Sequence, residues 1–102
     1  PYGSSAASDV YKRQAQEMGL VNRMLPPHML VPYVDDYAQR ISENAPMTME
    51  SVKAIVQAIQ DDESARDLDA LDAMVKACFA SQDYIEGRRA FMEKRKPDFT
   101  GS

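Results

Sequence analysis

Leu68-Asp69-Ala70-Leu71-Asp72-Ala73-Met74-Val75-Lys76-Ala77-Cys78-Phe79 sets Leu68, Leu71, Val75 and Phe79 three or four positions apart. That spacing gathers them on one face of an α-helix and gives the helix an apolar stripe to bury. Asp67 and Asp69 stand where the helix dipole is positive, so their charge favours a start there. An amphipathic helix with no strand pattern beside it decides the class of the region: helix packing on helix.

The same pattern recurs outward in both directions. Upstream, Val52, Ile55, Val56 and Ile59 form a stripe that Asp61-Asp62 breaks. Thr48 is the expected N-cap of that helix. Further upstream, Leu30, Val34, Tyr37 and Ile41 recur at helical spacing, with Pro32 expected in the first turn and Ala45-Pro46 closing the helix. Downstream, Ser81-Gln82-Asp83 interrupts. Asp83 with Glu86 three residues later suggests a capping box, and a last helix is expected from about Tyr84 to Lys96, stopped by Pro97. Gly19 fits the position after a helix end, where positive φ carries no steric cost. Leu20 to Leu25 is either one short strand whose partner lies elsewhere or a loop. The expected fold class is therefore all-α, with three to four amphipathic helices of about twelve to fifteen residues and at most one short strand.

Composition excludes several functions. The chain has 102 residues, 44% hydrophobic and 27% charged, as in an ordinary folded protein, with a net charge of -4 that does not suit a nucleic-acid surface. Cys78 is the single cysteine, so no internal disulfide forms and a reducing, cytoplasmic compartment is expected. No apolar run reaches the roughly 20 residues that span a bilayer. One His and one Cys make no metal cluster, and no phosphate-cradling glycine loop or nucleophile elbow is present. His28 is expected in a solvated loop, and Cys78 as a small buried hydrophobe. The carboxylates of residues 61–72 surround a helix start and are better explained by solvation and the helix dipole than by acid–base work.

The end of the chain is different. Arg88, Arg89, Lys94, Arg95 and Lys96 make it basic, and Phe91 and Phe99 lie among them. An aromatic ring beside an ammonium can stack a nucleotide base while the cation meets phosphate. A helix C-terminus merely decorated with cations is the commoner origin of such a pattern.

Three stretches carry a family resemblance. Gly19-Leu20-Val21-Asn22-Arg23-Met24-Leu25-Pro26 is similar to the GLVNRVVP stretch of enoyl-CoA hydratases. Ile41-Ser42-Glu43-Asn44-Ala45-Pro46-Met47-Thr48, followed by Val52-Lys53, resembles their IAxNAPLTxxxVK segment. Cys78 to Pro97 resembles their CFxSEDxxEGxxAFxEKRxP ending, with Gln82 where Glu is usual, and Phe99, Thr100 and Gly101 continue it. The order and separation of the three make the resemblance to the enoyl-CoA hydratase/isomerase (crotonase) family specific over residues 15–102.

The resemblance implies a C-terminal helical region attached to a larger spiral of β-turns and helices. Residues 15–27 would end that spiral, and residues 28–102 would form the trimerisation and CoA-lid region. Residues 1–14 are read as a non-native leader, because Asp9 to Gln14 resembles a translated sequencing adapter and Pro1 to Ser8 a linker. Family members bind an acyl-CoA thioester as substrate, with no covalently bound cofactor, hold its carbonyl in an oxyanion hole and often add water to a 2-enoyl bond. The implied assembly is a homotrimer or hexamer, without nucleic acid or membrane. No catalytic residue carries over, since those motifs belong to the family's N-terminal part, and this chain alone is expected to be inactive. Two positions do carry over: Phe91 and Lys94 match the aromatic and lysine that approach the CoA adenine and phosphate. The alternative function is a non-enzymatic helical interaction module.

Overall fold

A computed structural model describes residues 5–102. Among the described residues the chain is all-α: α1 (Ser5–Glu17), α2 (Pro27–Ser42), α3 (Pro46–Gln60), a 3₁₀ turn (Glu63–Ala65), α4 (Leu68–Phe79) and α5 (Gln82–Glu93). It divides into two compact units, Pro1–Tyr37 and Ala38–Ser102, with α2 crossing the boundary.

In the first unit, helix begins at Ser5, so the expected linker to Ser8 is helical from its fifth residue. Ala6 and Ala7, strong helix formers, supply the local reason. The expected end near Met18 is found: α1 stops at Glu17, and Gly19 takes φ +81. The amides of Leu20 and Val21 close back onto the Ala15 carbonyl at 2.9 and 3.3 Å. The candidate strand at residues 20–25 is extended loop, because no second strand among the described residues satisfies its backbone groups. Within it the Arg23 guanidinium lies over the Tyr33 ring, 5.3 Å from its centre. Helix α2 starts a full turn earlier than expected, which places Pro32 inside it and His28 in its first turn rather than in a loop. Pro32 lacks the N–H that would bond the His28 carbonyl, but both residues are exposed, so water can satisfy that oxygen.

In the second unit, α3 packs against α4 and α4 against α5. Helix α3 begins at Pro46, with Ala45 extended before it, so Thr48 sits within the first turn and is not the cap. Proline at N1 removes an orphan N–H that a side-chain cap would otherwise serve. At the other end Arg66 donates from Nε to the Ala58 carbonyl (2.7 Å), and from Nη2 to those of Ile59 (3.1 Å) and Asp61 (3.2 Å), closing the last turn of α3. Asp67 caps α4 by accepting from the Ala70 amide at 3.0 Å, as its charge and position suggested.

Burial is sparse. Ile55, Leu71 and Val75 are half-buried between α3 and α4, while Val56, Ile59 and Phe79 of the same stripes are exposed. The one fully buried apolar side chain among the described residues is Ala90 on α5. Ser51 is buried at the α3–α4 contact, where the Cys78 thiol lies 3.8 Å from its hydroxyl. Cys78 itself is half-buried.

Candidate functional site

The C-terminal tail, residues 94–102, folds back along α5. Ser81 rather than Asp83 caps that helix: its hydroxyl accepts from the Tyr84 amide at 3.1 Å and donates to the Cys78 carbonyl at 2.6 Å. The expected capping box is replaced because the tail claims Asp83. That buried carboxylate accepts from the amides of Thr100 and Gly101, each at 2.8 Å, and from the Thr100 hydroxyl at 3.3 Å. The Asp83 amide in turn donates to the Ser102 carbonyl at 2.9 Å. Between these ends the Phe99 ring lies over Gly87, close enough that a Cβ there would touch it at 3.5 Å. The bare backbone of Gly87 thus receives the tail ring.

Helix α5 ends at Glu93, three residues before its expected end, because Lys94 turns left-handed (φ 55, ψ 42). Lys94 is the one non-glycine residue with positive φ among the described residues. A residue with a Cβ held there carries strain of about 1–2 kcal/mol, so something must fix it. Behind the turn, the amides of Lys94 and Arg95 donate to the Phe91 carbonyl (3.3 Å) and the Ala90 carbonyl (3.0 Å). Beside it, the Arg95 guanidinium grips the Glu86 carboxylate with two nitrogens (2.5 and 3.3 Å) and the Glu93 carboxylate with Nε (2.6 Å). The Asp98 amide donates to the same Glu86 at 3.1 Å. Chiefly through Arg95, and then through the Asp98 amide, the Glu86 carboxyl is pulled down from 4.5 to about 2, and the Arg95 guanidinium is held more firmly protonated.

The cations of the basic end therefore separate. Arg95 is spent on the turn, Lys96 pairs with Glu43 at 2.8 Å, and Arg88 lies over the Tyr84 ring, 5.8 Å from its centre. Lys94 is exposed and has no ion-pair partner among the described residues. Phe91, one turn before it, is 81% exposed. The two positions singled out in the sequence thus lie together at one helix end, one offering a ring face and the other an unneutralised ammonium. Glu86 was expected in a capping box with Asp83 and Arg95 only as one of the basic cluster, and their pairing with each other and with Glu93 was not foreseen. Their charges gave a hint, but the pairing spans a reversal of the chain that no local window contains.

A cavity of about 330 Å³ opens between α3, α4, α5 and the tail, lined by Met47, Val75, Phe79, Tyr84 and Phe99 with Ser51 and Cys78 at its polar side. Asp83 reaches it, but that carboxylate is occupied by the tail. The acidic stretch is also engaged in structure: Asp67 caps α4, and Asp72 pairs with Lys76 at 2.7 Å. Among the described residues no group of His, Cys, Asp and Glu is placed to hold a metal ion, and no helix is long and apolar enough to cross a membrane.

Known proteins resemble this chain in sequence and in fold. A methylmalonyl-CoA decarboxylase of Escherichia coli is 30% identical over 97 residues, covering 93% of this chain and 37% of the relative. A crotonyl-CoA hydratase of Syntrophomonas wolfei is 39% identical over 88 residues, 84% of this chain and 33% of the relative. The crystal structure of an enoyl-CoA hydratase from Mycobacterium tuberculosis superposes with a TM-score of 0.75 at 27% identity, over 89% of this chain and 36% of the other. The chain thus spans about a third of the length of these proteins. The family model described as enoyl-CoA hydratase/isomerase matches residues 5–102, nearly the whole sequence. On that match and these likenesses, the chain belongs to the enoyl-CoA hydratase/isomerase family.

Proposed function

We propose that this chain is the C-terminal helical part of a cytoplasmic protein that adds water to 2-enoyl-CoA thioesters. Its share of the work is to make homotrimer or hexamer contacts and to hold the nucleotide end of the substrate. Phe91 stacks the adenine and Lys94 meets a phosphate of coenzyme A. Hydration is taken from the relative named crotonyl-CoA hydratase, 39% identical to this chain. The observation that carries the reading is the exposed Phe91 ring one turn before Lys94, whose ammonium has no ion-pair partner among the described residues, in a chain of this family.

The physical division of labour is simple. The enolate-like charge of the reaction needs an oxyanion hole and carboxylates, which the resemblance assigns to the part of the fold preceding these helices. The helices contribute remote binding energy. A base stacked on an aromatic ring is worth about 1–3 kcal/mol, and a charge-assisted contact to phosphate about as much. Lys94→Ala in the complete protein is therefore expected to weaken crotonyl-CoA binding about tenfold or more, measured by titration calorimetry. Unchanged affinity in that variant defeats the reading.

A further inference from the structure

Lys94 lies between two residues that are both tied down. Glu93 before it and Arg95 after it are joined by a 2.6 Å ion pair, and Arg95 reaches a further two turns back along α5 to Glu86. Glu86 also holds the Asp98 amide, so one carboxylate on the helix entering the turn fixes two points of the chain leaving it. Lysine has no intrinsic preference for the left-handed backbone found at this position. Nothing from the Lys94 side chain itself holds it there, since it makes no ion pair among the described residues. The conformation is imposed from both sides.

We infer that Glu86 and Arg95 are positioning residues: their clamp over the α5 C-terminus holds Lys94 left-handed and so aims its ammonium beside the Phe91 ring, preorganised for a ligand that carries both a base and a phosphate. The inference rests on the proposed coenzyme A contacts of Phe91 and Lys94. Releasing the clamp lets the turn relax toward ordinary backbone angles. The ammonium then keeps its charge but loses its fixed place, and ordering it again is charged against binding. The low carboxyl pKa of Glu86 agrees with a charged, engaged clamp at neutral pH.

The test uses the complete protein and two probes, crotonyl-CoA and the crotonyl thioester of pantetheine, which lacks the nucleotide. Glu86→Gln keeps the side-chain volume and removes the charge that Arg95 grips. It is expected to weaken crotonyl-CoA binding about three- to tenfold and to leave the pantetheine thioester unaffected. Lys94→Ala added to Glu86→Gln is expected to cost much less than in the wild-type background. If Lys94→Ala weakens crotonyl-CoA binding and Glu86→Gln does not, the clamp is overturned while the nucleotide contacts stand. If neither variant changes affinity, both fall. If Glu86→Gln weakens both probes equally, its role is only structural and the inference fails. Should Glu86→Gln fold poorly, Arg95→Lys carries the same expectations, because a single ammonium nitrogen cannot meet Glu86 through two nitrogens while a third reaches Glu93.

Discussion

Ser81 connects two helices through one oxygen. Its hydroxyl accepts from the Tyr84 amide at the start of α5 and donates to the Cys78 carbonyl at the end of α4, and the residue is only 8% exposed. Removing it leaves an amide and a carbonyl poorly supplied with water. Ser81→Ala is expected to destabilise the fold by about 1–2 kcal/mol, read as a lower midpoint in urea denaturation with an unchanged slope. A loss below about 0.3 kcal/mol contradicts its role as the cap. The sequence pattern points to Asp83 as the cap, whereas the structure uses Ser81, two positions earlier. What separates them is the tail, whose Thr100 and Gly101 amides reach Asp83 from 17 and 18 residues away. That choice is not local and cannot be read locally.

At the scale of elements, α2 to α4 are legible because their apolar residues recur with the helical period, and α5 because turn and capping residues precede it and Pro97 follows it. Their ends are not, because each is set by a different device. Pro46 opens α3, Arg66 closes it, Ser81 opens α5 and the left-handed Lys94 closes it. Two of these depend on side chains arriving from another part of the chain. The candidate contacts Phe91 and Lys94 came from family resemblance and from the mix of charge and aromatic residues, whereas the Glu86–Arg95 clamp that surrounds them did not. The clamp has a pH signature. The Glu86 carboxyl sits at about 2 against an ordinary 4.5, so its contribution is complete above the ordinary value and fades as pH falls from about 4.5 through about 2. The Asp98 amide, bonded to Glu86, should therefore keep its neutral-pH chemical shift at pH 4 and change with a midpoint well below 4.5 in an acid NMR titration. A midpoint at 4.5 means that the clamp does not form in solution.

At the scale of the whole molecule, the stripes that made the helices legible are mostly uncovered. Val56, Ile59, Leu68 and Phe79 are each at least half exposed, on helices whose shared contact only half-buries Ile55, Leu71 and Val75 of the same stripes. In a self-sufficient bundle such stripes would face one another. Here they present apolar surface of the kind that marks a missing partner face, either another part of the same protein or another copy. Both proposed neighbours, a spiral core and trimer-related subunits, are surfaces of that kind. The chain studied alone is therefore expected to self-associate at micromolar concentration in sedimentation velocity, to bind an apolar dye such as anilinonaphthalene sulfonate strongly, and to show no hydration of crotonyl-CoA. A monomer that unfolds cooperatively and leaves the dye dark would mean that these helices cover their own faces. The chain would then be a self-contained module, and the reading of its stripes as docking surfaces would be wrong at its root.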